Sequence, residues 1–85
     1  MDSVLNLFEG QKYRVIKSFT DYDKLVHPVV ETWVFIRTNF MPYDDGLTLH
    51  VSMEDVSGEI VYRLQWRVEE QADIIENFND YVMAC

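Results

Sequence analysis

Chemistry near neutral pH asks for a nucleophile beside a base, two carboxylates in unlike environments, or a cluster of metal-ligating side chains. The chain offers few candidates: two histidines, His27 and His50, and one cysteine, Cys85. His27 precedes Pro28 in an aperiodic stretch, and His50 falls on the polar parity of an alternating run, so neither has an orienting partner visible in the sequence. Both are expected to be ordinary surface or turn residues. Cys85, at the last position, is expected to be a free exposed thiol, because chain ends fray and hold no catalytic geometry. One cysteine permits neither an intrachain disulfide nor a four-thiolate zinc site, and it suits a reducing compartment.

The carboxylates read as turn chemistry. Tyr43-Asp44-Asp45-Gly46 lacks the ligand spacing of a calcium loop and suits a tight strand reversal. Asp21 and Asp23 are alternate aspartates in a loop, a common turn former. Glycines stand only at 10, 46 and 58, so no phosphate-cradling loop exists. Hence no catalytic, metal or cofactor-binding residue is assigned, no cofactor is implied, and no enzyme is expected.

Lys12, Arg14, Lys17, Arg37, Arg63 and Arg67 could form a cationic stripe, which beside Tyr13, Trp33 or Trp66 would suit single-stranded nucleic acid. The plainer reading is that these cations neutralise nearby acids, since 15 Asp and Glu against 7 Lys and Arg give a net charge of −8. That balance opposes nonspecific binding to nucleic acid or anionic lipid. Likewise Trp33, Phe35, Tyr62 and Trp66 suit a core better than a ligand platform.

The chain has 85 residues, enough for a single domain spanning residues 1–85. With 48% hydrophobic and 14% aromatic residues it can bury enough surface to offset its ordering entropy, which excludes intrinsic disorder. Apolar runs are far shorter than the roughly 20 residues of a membrane-spanning helix. Met1-Asp2-Ser3 does not open like a signal peptide, so a soluble cytoplasmic protein is expected.

The elements that must position these residues are mostly strands. Residues 2–8, with apolar side chains at 4, 5, 7 and 8 and a capping Asp2 or Ser3, suggest one helical turn stopped by Gly10. Residues 12–19 read as a first strand with a bend near Ile16 and Lys17, and residues 20–28 as a loop. Residues 31–40 are apolar on both parities, as in a central strand buried on both faces. After the reversal, Leu47, Leu49, Val51 and Met53 alternate with Thr48, His50 and Ser52. A turn over 54–58 leads to Ile60, Tyr62, Leu64 and Trp66, with Val61 the one apolar exception. The period then changes: Gln71, Ile74, Ile75, Phe78, Tyr81 and Val82 predict a helix over about 69–83. The expected class is α+β: a four-stranded antiparallel meander, curled as an SH3-like half-open barrel, with a C-terminal helix. A flatter sheet with the helix on one face is the alternative.

Five segments carry a resemblance: Gly10-Gln-Lys-Tyr-Arg-Val, His27-Pro-Val-Val-Glu-Thr-Trp, Pro42-Tyr-Asp-Asp-Gly-Leu-Thr-Leu, Arg63-Leu-Gln-Trp and Gln71-Ala-Asp-Ile-Ile. Through them the chain resembles, over nearly its whole length, a family of small bacterial domains of unknown function. The resemblance implies a compact β domain and supplies no activity, cofactor or site residue. Related sequences tend to have glycine before Glu-Thr-Trp; Val30 there argues against a positive-φ turn.

The functional expectation is a non-catalytic protein-interaction module with an unidentified protein partner. Its surface would be the acidic helix face of Glu69, Asp73, Glu76 and Asp80, or a sheet edge. One alternative is an acidic immunity or antitoxin-like protein, or nucleic-acid mimic, meeting a cationic enzyme. Another is a small-ligand binder with an aromatic pocket of Trp33, Tyr62 and Trp66. Homodimerisation is compatible with each.

Overall fold

The computed structural model describes residues 5–41, 43, 45–54, 56–67 and 71–85. Among the described residues seven strands form: β1 (Lys12–Val15), β2 (Phe19–Thr20), β3 (Val26–His27), β4 (Thr32–Met41), β5 (Gly46–Met53), β6 (Val56–Gln65) and β7 (Val82–Ala84). A short helix α1 (Ala72–Glu76) and a 3-10 turn (Phe78–Asp80) precede β7. Five strands make one antiparallel sheet in the order β6-β5-β4-β1-β7, while β2 and β3 pair as a separate hairpin. No helix of the described residues is long and apolar enough to cross a membrane.

The meander is as the alternation predicts. Leu47, Leu49 and Val51 of β5 are buried opposite Leu64, Tyr62 and Ile60 of β6, with Thr48 and His50 on the outer face. In β4 the expectation of two buried faces fails. Trp33 and Phe35 face the core, then the register shifts between Phe35 and Arg37, which turns Arg37 and Asn39 to the outer face beside His50 and Thr48. Such a bulge inverts side-chain parity, so an unbroken apolar run need not be buried twice. The β5–β6 reversal is tighter than the expected 54–58: Met53 already pairs with Val56, and Gly58, at φ 84, falls inside β6.

Both expected helices change. Among the described residues the N-terminal segment has no helix: Leu5 and Leu7 are both buried, and Asn6 between them has φ 58. The capping residues Asp2 and Ser3 lie outside the described residues. At the other end the helix over 69–83 is cut to α1. Asn77 leaves helical geometry (φ −124, ψ 33) while its Nδ2 donates to the carbonyl of Asp73 at 2.9 Å, local competition with the helical ladder that Asn favours. The last apolar residues are claimed by tertiary pairing: Val82 and Met83 lie against Val15 and Arg14 as β7. β6 and β7 remain at opposite ends of the sheet, so it does not close into a barrel, and helix is a minor part of the fold.

One core layer is the inner sheet face, from Tyr13 and Val15 through Trp33 and Leu49 to Tyr62 and Leu64. The second layer is Leu5, Leu7, the β2–β3 hairpin and the C-terminal segment, joined where Phe19 meets the rings of Phe78 at 5.5 Å and Tyr81 at 5.9 Å.

Candidate functional site

The stretch expected to be a plain loop, residues 20–28, builds the most unusual polar site. Asp21 follows β2 and accepts the backbone N–H groups of Asp23 (2.9 Å) and Leu25 (3.0 Å) on Oδ1. Its side chain thereby replaces a backbone turn, as aspartates in tight loops do. The reversal it organises brings β3 against β2 with His27 pointing inward and Val26 outward.

His27 is 0% exposed. Its Nε2 lies 2.9 Å from Asp21 Oδ2 and its Nδ1 2.7 Å from Glu31 Oε1. Phe19 stacks on the imidazole at 4.7 Å and Tyr62 meets it edge-on at 4.2 Å. Glu31 Oε1 also accepts the Trp33 indole N–H at 3.2 Å. Ionised carboxylates only accept, so two of them on one ring are satisfied together only when both ring nitrogens donate. Burial pushes the imidazolium down, but the hydrogen bonds and charges of Glu31 and Asp21 outweigh it and hold His27 above its ordinary 6.5. Burial, with the charges of Glu31 and Asp21, pushes the Tyr62 phenol up to about 12.

Glu31 is placed by the turn before β4. Val30 N–H donates to the Val15 carbonyl at 2.9 Å, and Val15 N–H to that of Glu31 at 2.8 Å. The positive-φ turn that Val30 argued against is nevertheless present: Val30 has φ 74. A β-branched residue there is strained, and it persists because β1 pins both sides.

The outer sheet face carries the second network. His50 Nδ1 is 2.7 Å from Glu59 Oε1, and Arg37 holds both oxygens of Glu59 at 3.0 and 3.3 Å. His50 Nε2 faces Asn39 Nδ2 and Thr48 Oγ1, each at 3.3 Å. The hydrogen bond from His50, with the Arg37 charge, holds the Glu59 carboxyl below its usual range. Neither histidine is therefore a plain surface residue.

Four of the six cations of the candidate stripe, Lys12, Arg37, Arg63 and Arg67, pair with carboxylates. Lys12 pairs with Glu54 at 3.5 Å, Arg67 with Asp45 at 3.4 Å, and the Arg63 Nε with Asp23 at 3.0 Å. Arg14 lies against the Met83 sulfur and Lys17 over the Tyr81 ring at 4.8 Å. No continuous stripe of free cations forms among the described residues. Of the expected acidic face, Glu69 lies outside the described residues. Asp73 and Glu76 are exposed on α1 and Asp80 on the 3-10 turn, and Glu76 accepts the Trp66 indole N–H at 3.1 Å. The proposed aromatic trio does not assemble through ring contacts. Trp33 is buried beside Tyr13, Tyr62 meets His27, and Trp66 is half-buried against Phe40. Cys85 is exposed, as expected.

The segments quoted for the resemblance thus include the Asp21–His27–Glu31 frame and both of its supporting turns only in part, since Asp21 lies outside them. Over residues 2–84 the chain matches a family described as a domain of unknown function, DUF3601. The chain belongs to this family. A solved structure, that of an integron cassette protein from the mobile metagenome of Vibrio cholerae, is similar with 28% identity and a TM-score of 0.90, covering 100% of this chain and 92% of that one. No curated protein matches the chain. The expected likeness to a family of small domains of unknown function is borne out, and the solved neighbour shares the mostly β fold.

The sequence reading missed the His27 site because residues 20–28 show no hydropathy period and read as a loop, so nothing marked one side chain as turned inward. The available signal was spacing: carboxylates six residues before and four after a histidine, across two short turns.

Proposed function

We propose that this DUF3601 domain is a non-catalytic protein-interaction module of bacterial origin, working through its β4–β5 reversal. One observation carries the reading: Tyr43 is 98% exposed, and Phe40 and Met41, on the strand leading to it, are exposed as well. Burying these side chains would remove apolar area from water, and Tyr, Phe and Met are residue types enriched at protein interfaces. Trp66 beside Phe40, at 5.6 Å between rings, and the Arg67–Asp45 ion pair give the patch a firm base and a polar rim.

The test is affinity capture from bacterial lysate at low and high salt, with wild type and Tyr43→Ala in parallel. A stoichiometric protein lost with Tyr43→Ala supports the reading, since the substitution touches no core residue. Capture unaffected by Tyr43→Ala, or no protein at either salt, overturns it.

A second reading, an acidic immunity-like partner for a cationic protein, is favoured by Asp73, Glu76 and Asp80, which are exposed and have no cation within ion-pair distance among the described residues. Charge-steered association of that kind weakens steeply with salt. A captured protein released at high salt and insensitive to Tyr43→Ala would favour this second reading.

A further inference from the structure

His27 takes no part in the proposed surface, and its geometry raises a different question: what happens when it loses a proton. We propose that the proton on His27 is a switch for the turn over residues 28–31. With the proton, the imidazolium bridges Asp21 and Glu31. Without it, the ring keeps Asp21 and releases Glu31.

The two carboxylates are unequal in a way that fixes which one lets go. The Asp21 side chain is 1% exposed and its second oxygen is committed to the backbone of Asp23 and Leu25. Glu31 is 18% exposed and can rotate its charge into water. A neutral imidazole has one N–H. Leaving it on Nε2 preserves the Asp21 bond and sets the Nδ1 lone pair against a carboxylate oxygen 2.7 Å away. That repulsion, in a site with little water, is relieved by swinging Glu31 outward.

Asp21 comes from the hairpin and Glu31 from the turn. Tyr62 from β6 stays neutral with its phenol pushed up to about 12, and Phe19 from β2 is apolar. The Asp23–Arg63 pair flanks the hairpin on the solvent side, and Lys17 sits on Tyr81, which touches Phe19.

Release of Glu31 has two local consequences. Trp33 loses the acceptor of its indole N–H. The turn, strained at Val30 and with Val29 and Val30 exposed, loses a side-chain tether and moves more freely. The direction is set by the chemistry: the turn is tied on the acid side of the His27 titration and released on the alkaline side.

The test uses the full chain with Trp66→Phe, so that Trp33 is the one indole. His27 ring resonances, the Trp33 Nε1–H resonance and amide exchange are followed from about pH 6 to about pH 9. The expected result is a shift of the Trp33 signal and a loss of protection at the Val30 and Glu31 amides, both tracking the His27 titration, with Leu49 still protected. The transition persists in His50→Gln and is lost in Glu31→Gln. The proposal is overturned if His27 titrates while Trp33 and the turn stay unchanged, if protection is lost throughout the core together, or if His27 does not titrate. Should Glu31→Gln not fold, the coincidence or separation of the signals in the Trp66→Phe chain decides alone.

Discussion

His27 Nε2 stands 2.9 Å from Asp21 Oδ2, with the two side chains 0% and 1% exposed. Replacing His27 by Gln removes the cation and leaves two carboxylates without its two charge-assisted hydrogen bonds. Removing one partner of a buried ion pair costs about 3–5 kcal/mol. We expect a loss in that range in urea denaturation with an unchanged m-value. A change below about 1 kcal/mol would show that the site is wetter or more adaptable than its geometry.

Stability should also depend on the His27 proton. Its folded pKa lies above the unfolded 6.5, so the folded state binds the proton more tightly. The associated stabilisation is fully present below the unfolded pKa and declines as pH rises through the folded one. Asp23 and Glu59 have the opposite sign: hydrogen bonds from Arg63 and His50, respectively, hold their carboxyls low, so their contribution is present above the ordinary carboxylate range and fades in acid. Thermal melts across pH should therefore lose stability on both flanks, and His27→Gln should flatten the alkaline flank. An alkaline decline as steep in His27→Gln as in wild type would refute the assignment.

Strands with one buried face were legible because their parity is a local property. Leu47, Leu49 and Val51 declare β5 without reference to anything distant. What was not legible depends on partners far along the chain. β7 exists because Val82 and Met83 find Val15 and Arg14, although their spacing from Phe78 also fits a helix. His27 is buried because Asp21 and Glu31 reach it, and no hydropathy pattern expresses that compensation. The turn at Val30 survives against local preference because β1 holds it in place.

The inner face can be checked by contrast. Leu49 is fully buried between β4 and β6, so Leu49→Ala should cost about 2–5 kcal/mol. Trp66, whose alternation suggested the same face, lies half-buried against Phe40 with its N–H on exposed Glu76. Trp66→Ala should cost less than Leu49→Ala in the same denaturation series. The reverse order would mean that Trp66 closes the core rather than capping it.

Val30 offers the one substitution expected to stabilise. Its φ of 74 places a β-branched side chain in the left-handed region, while that side chain is 69% exposed and contributes little burial. Strain of this kind costs about 1–3 kcal/mol. Glycine removes it but adds freedom to the unfolded chain, at about 0.4–1 kcal/mol. The difference predicts that Val30→Gly gains about 1 kcal/mol, read as a higher urea midpoint at constant m-value. Because glycine adopts this φ freely, the gain should come without a change in the backbone of the turn, and the hydrogen bond from its amide to Val15 should remain protected from exchange. A Val30→Gly variant less stable than wild type would mean that the valine side chain packs productively on the turn and that the left-handed conformation carries little strain.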